Sequence, residues 1–422
     1  MSSSSELVQS IHNMRRVYFD NNATTPVLPG VLEAMQPYFG EHYGNASSIH
    51  HHGQETRAAV ERARESVAAL LGCLPSEIVF TSGGTEADNL AIFGTVQRAV
   101  ARALPVARSN DHVITSTIEH HAVLNACRHL EQEGWEVTYL PVDCRGVIDP
   151  NEVKRALKPN TKLISIMLAN NETGVLQPVT EIGKIAAEAD VCFHTDAVQA
   201  VGKVPVRVDE LGCDLLTISA HKLHGPQGIG ALYVRKGTQL EAQMHGGRHE
   251  RSRRAGTENV PGIVGLGKAA EIAREALERG DYDLTELRER LERELLKMEA
   301  VTVNAGGSGR VPNTTSLCFN GIDGEALVIA LDLKGLAVST GAACSSGAIE
   351  PSHVLLAMGL TPERARASIR FSLGKQNTSE DVEFAIRLVR ETVGRLRELS
   401  PVWDNAPGSL ESHAATKLVA RS

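Results

Sequence analysis

A lysine arrives at the end of an apolar run with a hydroxyl and an imidazole beside it. Leu215, Leu216, Thr217 and Ile218 lead into Ser219, Ala220, His221 and Lys222, and Gly225 and Pro226 then break the chain. The apolar stretch reads as a buried strand. An amine at the end of such a strand is partly desolvated, so its pKa falls and it becomes a nucleophile suited to a Schiff base with an aldehyde cofactor. Ser219 and His221 are placed to hold a phosphate on that cofactor. A lone lysine after a strand is usually a surface residue, so the reading depends on matching groups elsewhere. A second strand-like run, 193–199, puts Asp196 at its polar end. A carboxylate against a pyridine nitrogen keeps that nitrogen protonated and makes the ring an electron sink, and Gln199, three residues on, can reach a phenolic oxygen. A third run, 78–82, ends in Gly83, Gly84, Thr85 and Glu86, a glycine turn that opens an amphipathic helix. Unpaired N–H groups and the helix dipole at such a start favour a phosphate. Together these groups match every part of pyridoxal 5'-phosphate.

The elements that must position them follow from periodicity. Seven short apolar runs, at 78–82, 112–116, 136–142, 162–169, 191–195, 215–219 and 230–234, alternate with helical stretches. Such alternation predicts an α/β fold with a mainly parallel seven-stranded sheet covered by helices on both faces. The large, cofactor-binding domain is expected over 31–278. A charged helical stretch over 271–298 leads out of it into a smaller α+β domain, 279–404 with 15–30. The polar, aperiodic residues 405–422 read as a loose tail.

Composition excludes several classes. The chain has 422 residues and a formal net charge of −8, which argues against nonspecific nucleic-acid binding, and no apolar run is long enough to span a membrane. Seven cysteines, odd in number and without paired spacing, give no disulfide framework and fit a reducing, cytoplasmic setting. Residues 1–16 hold serines and two arginines but also Glu6, which fits a polar extension better than a transit peptide. Histidines cluster at 50–52, at 120–121 and at 221 with 224. No cysteine pair or His-Glu-x-x-His pattern accompanies them, so no metal is expected.

Further motifs appear in one order: Asp20-Asn21-Asn22-Ala23-Thr24-Thr25-Pro26, Gly44-Asn45-Ala46-Ser47-Ser48-Ile49-His50, Ile118-Glu119-His120-His121, and Asn170-Asn171-Glu172-Thr173-Gly174. After the lysine cluster come Gly246-Gly247-Arg248-His249-Glu250-Arg251, Arg254-Ala255-Gly256-Thr257-Glu258-Asn259, Gly341-Ala342-Ala343-Cys344-Ser345-Ser346-Gly347 and Ser368-Ile369-Arg370-Phe371-Ser372. Over 17–403 this set resembles the cysteine desulfurases, class-V aminotransferase relatives of pyridoxal-phosphate fold type I. Its wording is similar to the nitrogen-fixation-associated NifS type. The resemblance implies Lys222 as the Schiff-base lysine, Asp196 at the ring nitrogen, Gln199 at the phenolic oxygen and His120 stacked on the ring. It implies Gly84, Thr85, Ser219 and His221 around the phosphate, with Thr257 reaching across a homodimer. It also implies Asn171 beside the cofactor, helping Arg370 to bind the carboxylate of an L-cysteine substrate.

The reaction is decided by Cys344. Residues 339–348 contain nothing larger than Thr or Cys and no charge, so a mobile loop is expected there. The other six cysteines lie in strand-like or helical runs or beside turns, where a free Cys is usually a small core residue. Cys344 is therefore the candidate nucleophile on the sulfur of bound cysteine, giving L-alanine and an enzyme persulfide for a sulfur acceptor or iron–sulfur scaffold protein. Its thiol needs activation, by substrate or by His120, because an unperturbed Cys has a pKa of about 8.5. A small-amino-acid aminotransferase would leave Cys344 without a task, a noncatalytic scaffold would leave Lys222 and Asp196 without one, and selenocysteine lyase is the nearest enzymatic alternative.

Overall fold

A computed structural model of the chain describes residues 15–102, 111–281, 283–341, 350–400 and Trp403. Its strands are β1 (Val17–Tyr18), β2 (Ile78–Thr81), β3 (His112–Ser116), β4 (Glu136–Leu140), β5 (Thr161–Ser165), β6 (Cys192–Asp196), β7 (Leu215–Ser219), β8 (Gly230–Val234), β9 (Val301–Val303), β10 (Thr314–Phe319), β11 (Leu336–Ala337) and β12 (Ser368–Ser372). The chain divides into two compact units. One is Asn22–Asp283 with Gly307–Val311, and the other takes the chain up to Asn21, Leu284–Gly306 and Pro312 onward.

The first unit is built on a seven-stranded sheet of order β2-β8-β7-β6-β5-β3-β4. All neighbours are parallel except β8, which runs antiparallel to both β2 and β7. Each of the seven apolar runs has become one of these strands. Because side chains alternate faces along a strand, Leu216 and Ile218 of β7 and Phe193 of β6 point to one side. There they pack with Val60 and Val67 of the helix His51–Leu71, Ile182 of the helix Val179–Glu188, and Ile263 and Leu266 of the helix Val260–Arg279. The first and last of these helices approach closely at Gly267, where a Cβ would lie 2.5 Å from Ala63 Cα. On the other face Val79, Leu215, Leu232 and Val234 meet Ala87, Leu90 and Ala91 of the helix Gly84–Arg102. Fully burying one such Val or Leu contributes about 1.5–3 kcal/mol, so the two apolar layers fix the strand ends that carry the site.

The helical stretch expected over 271–298 is two helices, Val260–Arg279 and Thr285–Leu295. Gly280 caps the first in the left-handed region at φ 74, a conformation open to glycine and costly for other residues, and it ends the helix there.

In the second unit, β1 pairs in parallel with β11, and β12-β10-β9 form an antiparallel sheet. Its core gathers Phe19, Leu291, Leu317, Phe319, Leu327, Phe371 and Val389. The residues expected to form a tail, 405–422, lie outside the described ones. Among the described residues no helix is long and apolar enough to cross a membrane.

Candidate active site

Past Ser219 the chain tightens into a 3-10 turn, Ala220–Lys222, closed by Leu223 N donating to Ala220 O at 2.8 Å. Lys222 is half-buried, and its Nζ donates to the main-chain oxygens of Asn22 and Ala23, each at 2.5 Å. The segment supplying those oxygens is fastened to the same turn. Thr25 donates to His221 O from both its N and its Oγ1, at 2.9 Å each, and accepts from His224 N at 2.8 Å. This explains why a polar motif at 20–26 belongs with a lysine two hundred residues later: it holds the amine.

Asn22 is a hub. Its main-chain oxygen also accepts from Gln199 Nε2 at 2.9 Å, its Oδ1 accepts from Lys203 Nζ at 3.0 Å, and its Nδ2 donates to Asn171 O at 3.1 Å. Lys203 is 6% exposed and donates again to Gln199 Oε1 at 2.7 Å. The Gln199 amide therefore keeps one N–H for a ligand.

Asp196 ends β6 on the sheet face that carries Thr217 and Ser219 of β7, with Asp196 and Thr217 in register. It is 7% exposed, and its Oδ1 accepts from Val198 N at 2.9 Å. Burial pushes this carboxyl above the usual carboxylate range, opposed by that hydrogen bond and by the charge of Lys222. Two residues earlier on the same face, His194 is fully buried, with Nδ1 2.9 Å from Ser165 Oγ and Nε2 3.0 Å from Thr217 Oγ1. Burial drives it down to about 3, so it is neutral.

The helix Gly84–Arg102 starts against these strand ends. A Cβ on Gly84 would lie 3.1 Å from Val198 Cγ2 and 3.6 Å from Ser219 Cβ, so the glycine brings the helix N–H groups close to Ser219. Thr85 is exposed there and Ser219 is buried. His221 Nδ1 lies 3.2 Å from Thr24 Oγ1, and burial together with Lys222 lowers the imidazole to about 4.

His120 caps the helix His121–Gln132, its Nδ1 accepting from Ala122 N at 3.2 Å. This fixes the ring and leaves the proton on Nε2. Its neighbour Glu119 is fully buried, accepts from Ser116 Oγ at 2.6 Å and from Met167 N at 3.0 and 3.1 Å, and is pushed by burial up to about 8. The loop carrying Asn171 is shaped by Asn170, whose Oδ1 accepts from the backbone N–H groups of Glu172 and Thr173 at 2.9 and 3.0 Å.

Thr257 is exposed. The segment before it is held by an ion pair between Arg64 and Glu250, whose side chains are each 4% exposed, with bidentate distances of 2.8 and 2.9 Å. Glu250 also accepts from Phe80 N at 2.9 Å, and the Arg64 guanidinium lies 4.6 Å from the Phe80 ring centroid. Glu250, Arg251 and Ser252 all have positive φ, at 44, 57 and 66, so the pair holds a backbone conformation that none of them prefers. Removing one partner of a buried pair costs about 3–5 kcal/mol. Glu250→Ala should therefore lower denaturant-derived stability by that order, and a loss under 1 kcal/mol would show that the pair does not anchor the segment.

Arg370 lies in β12, whose five residues are all buried. Arg370 Nη2 donates to Asp20 Oδ1 at 2.6 Å. Cys344 lies outside the described residues, as does most of the loop expected at 339–348. Of the other six cysteines, Cys127, Cys213 and Cys318 are buried, Cys73 and Cys192 half-buried, and only Cys144 is exposed. Burial pushes the thiols of Cys73, Cys127 and Cys213 up to about 12, which keeps them protonated and inert.

Asn22, Glu119 and Lys203 had no role assigned from the sequence, although Asn22 and Glu119 stand inside the quoted motifs. The period-two pair His194 and Asp196 was the one local signal that a polar face, rather than a single carboxylate, underlies the site.

These groups fit pyridoxal phosphate on chemical grounds: an amine at a strand end, a buried carboxyl that forms no ion pair among the described residues, and a glycine-opened helix start beside a buried serine. With the seven-stranded sheet they define the fold of the type I pyridoxal-phosphate transferases. A family model described as aminotransferase class-V matches residues 17–384. A cysteine desulfurase IscS of Dictyoglomus turgidum is 50% identical over 388 residues, covering 92% of this chain and 97% of that protein. A cysteine desulfurase of a Nostoc species is 50% identical over 404 residues, 96% of this chain and 99% of that one. A solved NifS-like protein superposes with a TM-score of 0.83 at 40% identity, covering 90% of this chain and all of the other. The chain belongs to the aminotransferase class-V family and, within it, to the cysteine desulfurases.

Proposed function

We propose that this enzyme removes sulfur from L-cysteine, giving L-alanine and a persulfide on Cys344, with Lys222 and Asp196 holding pyridoxal 5'-phosphate. The observation that carries the cofactor assignment is the strand-end arrangement of Lys222, Asp196 and Ser219 beside the helix start at Gly84. Bound there, the cofactor supplies an electron sink for the substrate's Cα.

The chain's own groups do the rest. Asp196 holds a proton at the ring nitrogen. Lys222, held by two carbonyls, supplies the amine that binds the aldehyde and afterwards shuttles the proton at Cα. His120, locked with its proton on Nε2, covers the ring. Gly84, Thr85, Ser219 and His221 take the phosphate, Gln199 the phenolic oxygen, and Arg370 with Asn171 the substrate carboxylate, for which a planar guanidinium is suited. Cys344, as thiolate, attacks the substrate sulfur: an S–S bond forms, the Cβ–S bond breaks, and its electron pair passes to the alanine skeleton.

In this reading the large domain, 31–278, carries the cofactor, and the small domain, 279–404 with 15–30, carries Cys344 and Arg370. We further assign the enzyme to the cytoplasm as a homodimer that passes sulfur to an iron–sulfur scaffold or other acceptor, in a nitrogen-fixation setting. The likeness to a NifS-like protein supports the last point.

Incubation with L-cysteine and a thiol reductant should release alanine and sulfide in equal amounts, and a keto acid in place of alanine would refute desulfuration. The dimer has its own test. If Thr257 binds the partner's phosphate, then cofactor and dimer stabilise each other by mass action, and diluted Thr257→Val should lose cofactor sooner than wild type. Equal retention at all dilutions would remove Thr257 from that role.

A further inference from the structure

The sheet face that carries Asp196 also carries a second carboxyl with no part in the reading above. Asp88 lies one turn into the helix Gly84–Arg102 and is 1% exposed, and its Oδ1 is buried with no hydrogen-bond partner among the described residues. Its near neighbour is His194, whose Nε2 is 3.6 Å from that oxygen. His194 is already engaged by the Ser165 and Thr217 hydroxyls.

The ionisable groups facing Asp88 are few. From β6 come His194 and Asp196, and from the turn after β3 comes Glu119. The strand β7 offers only the Thr217 hydroxyl. β2 has no ionisable side chain, Tyr233 of β8 packs with Phe80 in the core of the opposite face, and Lys222 acts on Asp196. No cation therefore pairs with Asp88 among the described residues.

An ionised carboxylate in such a place is costly, by several kcal/mol. Two carboxyls on one dry face cannot both ionise cheaply, and the member with a cation beside it takes the charge. Lys222 stands by Asp196, so the proton falls to Asp88. Burial, then the charge of Asp196, pushes Asp88 well above the carboxylate range. With the proton on Asp88 and His194 uncharged, the face presents one negative group.

We propose that Asp88 is a positioning residue, a buried carboxylic acid that stays neutral against His194 and Thr217 so that Asp196 is the single negative charge at the ring-nitrogen end of the site. This rests on the reading that pyridoxal phosphate binds over Asp196.

Two measurements test it. In the apoprotein at neutral pH, isotope-labelled aspartate should show the infrared carbonyl stretch of a protonated acid. The label separates this band from Glu119, and Asp88→Asn should abolish it. In the cofactor-loaded enzyme, Asp88→Asn replaces a neutral group by a neutral group of the same shape. Its visible absorption should titrate within about 0.3 pH unit of wild type, because one full unit corresponds to about 1.4 kcal/mol of altered charge interaction. Asp88→Ala, which leaves a void beside His194 and Thr217, should weaken cofactor retention about tenfold, the order of a buried cavity's cost felt at the site. The proposal is overturned if the aspartic-acid band is missing from wild type, if Asp88→Asn moves the titration by a unit or more, or if Asp88→Ala retains cofactor like wild type. A wild-type protein that takes up no pyridoxal phosphate, yet shows the acid band, would instead remove the cofactor reading.

Discussion

Lys222→Ala should produce no alanine or sulfide from cysteine and should hold no cofactor through borohydride treatment and denaturation, whereas the wild type keeps it on Lys222. The nearby amine of Lys203 cannot take over, because it is 6% exposed and committed to Asn22 Oδ1 and Gln199 Oε1. Removing a covalent catalyst of this kind lowers turnover by about four orders of magnitude or more. The variant should still take up pyridoxal phosphate reversibly through the phosphate groups and Asp196. Asp196→Ala should fail differently. It keeps the covalent attachment, since Lys222 is intact, and loses most of the activity, since the ring nitrogen no longer has an anionic partner. Covalent retention in Lys222→Ala would place the Schiff-base lysine elsewhere.

Cys344→Ala should separate binding from chemistry. It should be yellow, should change its visible spectrum on adding cysteine, and should release neither sulfide nor alanine, the pattern expected when only the nucleophile is gone. Mass spectrometry of wild type after a cysteine pulse should find the added sulfur on Cys344. Labelling by an alkylating agent needs one precaution that the sequence did not suggest. Cys144 sits exposed between Asp143 and Arg145, so it will compete for reagent, and the experiment belongs in a Cys144→Ser background. There Cys344 should react before Cys73, Cys127, Cys192, Cys213 and Cys318. Turnover by Cys344→Ala, or extra sulfur on another cysteine, would show that the nucleophile is wrongly assigned.

What the sequence made legible were features with a local signal. Each strand of the seven-stranded sheet announced itself as a short apolar run, and Lys222, Asp196 and Ser219 were conspicuous as polar residues where those runs stop. The direction of β8 was not legible, because alternation reports burial and carries no sense of orientation. The break at Gly280 was in plain sight, yet charged residues on both sides continue the helical pattern, and the glycine's left-handed conformation decided the matter. The network around Asn22 was beyond reach for another reason. Gln199, Lys203 and Lys222 meet it only because the fold returns the chain there, and no spacing rule encodes a contact across so much sequence. Asp88 looked like an ordinary polar position in an amphipathic helix until the sheet face beneath it proved to be lined with His194, Asp196 and Thr217.

The pairing of β1 with β11 sets an order of events during synthesis. Val17 and Tyr18 leave the ribosome long before Leu336 and Ala337, with which they pair. The seven-stranded sheet meanwhile needs nothing beyond Val234 for its strands. Domains generally form as their residues emerge, so the sheet can assemble while the opening strand waits with its ladder unfilled. The entropy of closing that long loop rises only slowly with its length. What β1 requires in the interval is protection of its unpaired edge from wrong pairing.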